Sequence, residues 1–170
     1  MNDVAVAIRT LQQQGEIKTA MTIDCDVHHG NGTAFIFSND PSVYTISIHQ
    51  LNNYPSWKPP SDIDVNLKDG CGDEEYISEL KRALETAFSL ADPDLIFYLA
   101  GADPYQHDLL GGLELTIDGL AQRDRIVLEF CKNRNVPCAI VLAGGYASNT
   151  LDTVLIHVNT ARIAKEIPLL

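Results

Sequence analysis

Ala20-Met21-Thr22-Ile23-Asp24-Cys25-Asp26-Val27-His28-His29-Gly30-Asn31-Gly32 passes without a break from an apolar run into carboxylates, imidazoles and glycine. Its first four residues read as a short buried strand, and the rest as the polar loop that leaves it. The same alternation repeats outward from this point. Upstream, Asn2 or Asp3 caps a helix over residues 2–14, with Val4, Ile8 and Leu11 as its apolar stripe and Gly15 as its stop. Downstream, residues 42–48 are rich in β-branched and aromatic side chains and read as a second strand ending at His49. Residues 50–72 carry Pro55, Pro59 and Pro60 and read as mostly loop, long enough to wall or cover a site.

Asp73–Leu90 is the clearest helix, because Tyr76, Leu80, Leu84 and Phe88 recur at one-turn spacing. Asp73, Glu74 and Glu75 place negative charge at the positive end of its dipole. Residues 95–99 form a third predicted strand, followed by Gly101-Ala102-Asp103. Residues 116–135 have a helical pattern, residues 138–142 are a fourth strand followed by Gly144-Gly145-Tyr146, and a last helix runs near residues 150–166. Strand and helix in alternation predict an α/β fold with a mainly parallel sheet.

The 170 residues, 45% of them hydrophobic, suffice for one cored domain. No apolar stretch approaches the ~20 residues of a membrane helix, and Asn2 and Asp3 stand where a secretory leader carries basic residues. A cytoplasmic location without a membrane partner is therefore expected. Cys25, Cys71, Cys131 and Cys138 show no C-x-x-C spacing and read as reduced, packed thiols. Twenty-three acidic against twelve basic residues give a net charge of −11, which argues against nucleic acid and mildly favours a cationic peptide or polyamine.

In open α/β sheets, functional groups collect at the carboxyl ends of the strands. Here the polar segments in that position are residues 24–28, 101–103 and 144–146. If the first strand stays extended through Asp24, Asp26 and His28, alternation puts all three side chains on one face. Zinc accepts carboxylate oxygen and imidazole nitrogen, and a catalytic site takes three protein ligands with one position open. Asp26, His28 and Asp103 supply that set. A D-x-H tripeptide by itself is as readily a solvated loop, Tyr146 an ordinary turn aromatic, and Tyr54 and Leu110 plain packing.

Asp24-Cys25-Asp26-Val27-His28-His29-Gly30-Asn31-Gly32-Thr33 resembles the metal-binding segment of histone deacetylases and their bacterial relatives, including acetoin-utilisation and polyamine deacetylases. Tyr98-Leu99-Ala100-Gly101-Ala102-Asp103, with Asp108 and Gly111-Gly112-Leu113 behind it, resembles their second metal segment. Ala143-Gly144-Gly145-Tyr146 resembles their catalytic-tyrosine loop. The likeness runs from about Asn2 to the C-terminus and, in the last two motifs, is closest to class IV members.

The resemblance implies a three-layer arginase/deacetylase fold and a zinc ion on Asp26, His28 and Asp103, with iron the alternative metal. Tyr146 would stabilise the oxyanion, Gly144 and Gly145 would wall the acyl-lysine channel, and Tyr54 and Leu110 would line it. A monovalent cation, potassium, would sit by Asp24 and Ser47. The substrate would be an acetylated lysine peptide or an acetylated small amine. His29 would be structural, and no role falls to His49, His107 or His157.

Full-length family members carry a tandem histidine pair upstream of the segment matching Asn2-Asp3. It activates the water and protonates the leaving amine. The present sequence has one His-His pair, His28-His29, and that pair belongs to the metal segment. Residues 1–170 are thus expected to be the C-terminal portion of a deacetylase-type domain truncated at its N-terminus, with weak or absent activity. The sheet edge left open would favour a homo-oligomer. Two other readings remain: a non-catalytic metal-binding remnant or interaction module with the same fold, and an arginase-like ureohydrolase. The latter needs more carboxylates for its metal pair, and Gly30 stands where one would serve.

Overall fold

The computed structural model describes residues 1–167, so the last three residues of the expected 1–170 domain lie outside it. Along the chain come α1 (Asp3–Gln14), β1 (Ala20–Asp24), α2 (Asn31–Phe37), β2 (Val43–Gln50), β3 (Ile63–Leu67), α3 (Asp73–Leu90), β4 (Leu95–Ala100), α4 (Ile117–Asn133), β5 (Cys138–Leu142) and α5 (Thr150–Glu166). All strand pairs are parallel, in the order β3-β2-β1-β4-β5. The chain steps one way from β1 through β2 to β3, then returns to build β4 and β5 on the other side of β1. Between β1 and β4 lies the reversal at which open α/β sheets bind their ligands.

Alternation along each strand separates the two sheet faces. Met21, Ile23, Ile46, Ile48, Val65, Leu67, Ile96 and Tyr98 join Tyr76, Leu80, Leu84, Leu120, Val127 and Ile163 in one core beneath α3, α4 and α5. The opposite face begins apolar, with Ala20, Val43 and Phe97 against Val4, Ala5, Ile8 and Phe37. Toward the carboxyl ends it becomes polar, and Thr22, Asp24, Thr45, Ser47 and His49 are all buried there. Helices thus cover both faces, giving the expected three layers.

Three expectations are corrected. The proline-rich segment 50–72 contains β3, in which Ile63, Val65 and Leu67 alternate with Asp64 and Asn66 and pair with β2. The strand pattern there is strict but short, and the neighbouring prolines mask it. The loop after β1 is also shorter than read, because α2 begins at Asn31 and buries Thr33, Ala34 and Phe37. Strand β2 runs on to Gln50, past the predicted end at His49. No helix among the described residues is long and apolar enough to cross a membrane.

Helix caps match the sequence where a polar side chain was available. Asn2 accepts from the Ala5 amide at 2.8 Å, and Gly15 at φ 76° closes α1 in the left-handed conformation that glycine favours. Thr116 caps α4 by accepting from the Gly119 amide at 2.9 Å, while its hydroxyl donates to Asp73 at the start of α3. Helix α4 also carries an ion pair where its apolar stripe should be. Arg123 and Asp124 are fully buried, and Asp124 accepts from Arg123 Nε and Nη2, Tyr98 Oη and Thr160 Oγ1 at 2.5–3.0 Å.

Removing one member of such a pair leaves a buried charge without its counterion, which costs about 3–5 kcal/mol. Asp124→Ala is expected to lower unfolding stability by that order. Arg125→Ala, which breaks an exposed, solvent-screened pair with Glu166, is expected to change it far less. Urea denaturation of the two variants checks the contrast.

Candidate metal centre

The end of β1 does not stay extended. After Asp24 the chain bends over Asp26, Val27 and His28, so strand alternation is not what brings the polar side chains together. The bend is held by hydrogen bonds instead. Asp24 Oδ1 accepts from the Asp26 amide at 3.1 Å, and Asp26 Oδ1 accepts from the His28 amide at 2.9 Å. Asp103 Oδ1, arriving from the loop after β4, accepts from the Val27 amide at 2.8 Å. Asp26 Oδ2 accepts from the Gly144 amide at 3.0 Å, which ties in the loop after β5. The carboxyl ends of three adjacent strands are thereby stitched to one another through two carboxylates.

Asp26, His28 and Asp103 bring one donor atom each to within 4.8 Å of the others. His28 Nδ1 lies 3.0 Å from Asp26 Oδ1 and 3.3 Å from Asp103 Oδ2. Asp103 is 1% exposed, yet its Oδ2 accepts no hydrogen bond. A buried carboxylate oxygen left in this way is costly unless a cation serves it.

The electrostatics agree. The Asp103 and Asp26 carboxylates, both close to its ring, push the His28 imidazole up to about 10. Burial, with Asp26 alongside, raises Asp103 to about 6. Burial acts to raise Asp26 too, but hydrogen bonds from the His28 ring and amide outweigh it and hold that carboxyl below the usual range. Burial and the charges of Asp26 and Asp103 raise Asp24 to about 8. The pocket therefore concentrates negative charge around one imidazole. Two carboxylates and one imidazole, with an unserved oxygen among them, fit a divalent metal such as zinc.

Glycines make room for this arrangement. A Cβ on Gly144 would overlap Asp103 Oδ2 and come within 2.8 Å of Asp26 Oδ2, and one on Gly101 would come within 2.7 Å of the Asp26 Cα. A Cβ on Gly145 would meet Ala102 and Thr153 at 2.9 and 2.7 Å. Gly30 packs against Asp24, where a Cβ would lie 2.5 Å from Oδ2. There is no room at that position for the extra carboxylate of a bridged metal pair, which disfavours the ureohydrolase reading.

The other sequence-derived positions lie at the surface of this region. Tyr54 is exposed and stands edge-on to His28, with ring centroids 6.4 Å apart. Leu110 is exposed, and its carbonyl accepts from Asn53 Nδ2 at 2.8 Å, which joins the Tyr54 and Leu110 loops. Tyr146 is 62% exposed, and its amide donates to Asp108 Oδ2 at 2.6 Å. Asp108 Oδ1 accepts from the Leu110 and Gly111 amides at 2.8 and 2.9 Å, so one carboxylate fixes both the Leu110 and the Tyr146 loops. Ser47 is the register partner of Asp24 and is buried.

The sequence reading missed Arg123. Its Nη1 donates to the Gly101 carbonyl at 2.6 Å and to the Cys25 carbonyl at 3.4 Å, beneath both ligand-bearing turns. The available signal was an adjacent Arg-Asp pair on the stripe of Leu120, Val127 and Leu128, where a helix of this period should be apolar.

The histone deacetylase domain profile matches residues 1–162. The chain belongs to the histone deacetylase family. It is 44% identical over 167 residues to an uncharacterized protein of Picosynechococcus sp., covering 98% of this chain and 56% of that protein. It is 32% identical over 155 residues to Histone deacetylase 2 of Arabidopsis thaliana, covering 89% of this chain and 40% of the relative. The chain thus spans about half the length of the curated relatives it matches. Among solved structures, the histone deacetylase Clr3 superposes with a TM-score of 0.80 at 28% identity, over 99% of this chain and 31% of that one. The acetylpolyamine aminohydrolase of Burkholderia pseudomallei shares the fold, with a TM-score of 0.77 over 96% of this chain and 50% of its own.

Because Gly144 abuts both carboxylates, Gly144→Ala is expected to weaken zinc binding by about 10–100-fold, as loss of a ligand-orienting contact does. Competition against a chromophoric chelator measures this. An unchanged affinity would show that the loop yields freely.

Proposed function

We propose that this chain carries the zinc-binding part of a deacetylase that hydrolyses N-acetyl-lysine or a related acetylamine. The observation that carries the reading is the meeting of Asp26, His28 and Asp103 at the β1/β4 reversal, with Asp103 Oδ2 buried and unpartnered. Zinc bound there would polarise the amide carbonyl and acidify a water.

The protein's own groups would do the rest. The Tyr146 hydroxyl donates to the carbonyl oxygen as it gains negative charge. Gly144 and Gly145 give the acyl chain a close backbone wall, while Tyr54 and Leu110 line the approach and exclude water. The Asp108 clamp on the Tyr146 amide holds the donor in place. We assign potassium to Asp24 and Ser47, on the support of their shared register and of a buried carboxyl surrounded by like charge.

We assign residues 1–170 to a C-terminal portion of the domain with little activity alone, on the support that they hold no tandem histidine pair besides His28-His29 to act as general acid and base. Loss of acid–base action is worth about two to four orders of magnitude in rate. His29 does not substitute for that pair, because its side chain is fully buried and hydrogen-bonded to Asp64. The motifs at residues 98–103 and 143–146 support a class IV-like member. The charge of −11 supports a cationic peptide or amine as substrate and argues against nucleic acid. Leu151, Val154, Leu155 and Val158 form an exposed stripe on α5, and β5 is an edge strand, which together support self-association there.

Metal analysis after reconstitution tests the reading. The parent chain is expected to retain zinc that Asp26→Ala loses from this centre, and equal zinc in the two would overturn it. Acetyl-lysine hydrolysis is expected only when the chain is extended upstream. Silence in both forms with zinc bound would favour a non-catalytic binding module.

A further inference from the structure

The His28-His29 pair splits. His28 turns toward Asp26 and Asp103, while His29 turns the other way and meets His49 of β2 and Asp64 of β3. His29 Nε2 lies 3.1 Å from Asp64 Oδ1, and the two imidazole rings stand edge to face with centroids 4.5 Å apart. One donor atom from each of the three residues lies within 4.8 Å of the others. They come from three separate segments, and their meeting follows from the register. Ser47 pairs with Asp64 and His49 with Asn66, so all four side chains share one sheet face, over which the His29 loop folds.

From this convergence we propose that His29, His49 and Asp64 form a second site for a divalent transition metal, zinc or a close relative, distinct from the Asp26–His28–Asp103 centre. Two imidazoles and a carboxylate are a donor set that such ions take. The 3.1 Å separation of His29 Nε2 and Asp64 Oδ1 is close to the ~3.3 Å edge of a tetrahedron with bonds near 2.0 Å. The two edges to His49 lie within 4.8 Å.

The surroundings resemble those of a built metal site. His49 Nδ1 faces Ser47 Oγ at 3.0 Å and Nε2 faces Asn66 Oδ1 at 3.1 Å, so ligation through either nitrogen leaves the other oriented by a hydrogen bond. Asp64 is held by the Ser61 amide on Oδ2, which leaves Oδ1 for the cluster. His29 is buried, so a metal held there would be shielded from bulk water. Lys58 opposes the ion, but its ammonium is engaged by the carbonyls of Asn53 and Pro55 at 2.6 and 2.5 Å. Asp64 is the one partly exposed member and marks the entrance.

The site is tested in the full chain carrying Asp26→Ala, which removes the first centre and separates the two readings. Zinc titrated into ¹⁵N-histidine-labelled Asp26→Ala protein is expected to shift the His29 and His49 imidazole resonances at one equivalent. Adding Asp64→Asn, an isosteric change checked for folding by circular dichroism, is expected to weaken that binding at least tenfold. His29 and His49 resonances unmoved by zinc would overturn the proposal, leaving a hydrogen-bonded triad without metal. So would one equivalent bound equally well with and without Asp64→Asn. Failure of the first centre alone would appear differently, as equal zinc in the parent and in Asp26→Ala with the His29 and His49 shifts intact.

Discussion

A guanidinium with no access to solvent lies under the metal-binding turns. Arg123 reaches from the middle of α4 to the carbonyls of Gly101 and Cys25, and its charge is answered by Asp124 next to it in sequence. Each of those carbonyls sits within two residues of a candidate ligand. The distance between the β1 and β4 turns is therefore set from below by one rigid, five-donor fork, and from above by Asp103 bonding the Val27 amide. A buried pair of this kind rarely adds net stability over a well-packed apolar alternative. Its value here is geometric, because an apolar residue at position 123 could fill the volume but could not hold two backbone carbonyls in register.

The same demand for position over stability explains the charge above Arg123. Asp24, Asp26 and Asp103 crowd one end of the sheet with a single imidazole, and burial pushes Asp24 and Asp103 toward their protonated forms. Backbone amides answer part of this charge: Val27 on Asp103, and His28 and Gly144 on Asp26. What remains is a pocket whose carboxylates are oriented before any cation arrives. A cation bound there would be linked to folding, since it would be held by the folded chain alone.

Much of this was legible in the sequence, for reasons that can be given residue by residue. Helix α3 carries a clear periodic apolar pattern and β5 a continuous apolar run, and both, with α5, match their predicted ranges. The meeting of the three candidate ligands was legible because each follows an apolar run, which places it at a strand's carboxyl end whatever the details. Their mutual geometry was not, since alternation predicted one face through His28 whereas a hydrogen-bonded bend does the work. Strand β3 was hidden by Pro55, Pro59 and Pro60, and α2 by the glycines on either side of Asn31. The ligand-supporting roles of Arg123 and Asp108 rest on contacts between segments far apart in the chain, to which local pattern is blind. His49 and Asp64 gave no signal alone, because their relation to His29 depends on the β2/β3 register.

That register points to a general feature of the architecture. One sheet face changes character along its length, from Ala20, Val43 and Phe97 packed beneath α1 to Asp24, Ser47, His49 and Asp64 at the far end. The apolar end supplies the burial that holds the layer together. The polar end uses the same rigid strands to aim groups that would each be unfavourable there without a partner. Since neighbouring parallel strands keep their side chains in step, a row of such groups lies across the sheet at one level, from Asp24 on β1 through Ser47 on β2 to Asp64 on β3. Buried polar groups are consequently not confined to the β1/β4 reversal. They extend sideways along the row, as far as the strands stay in register and a loop from above closes over them.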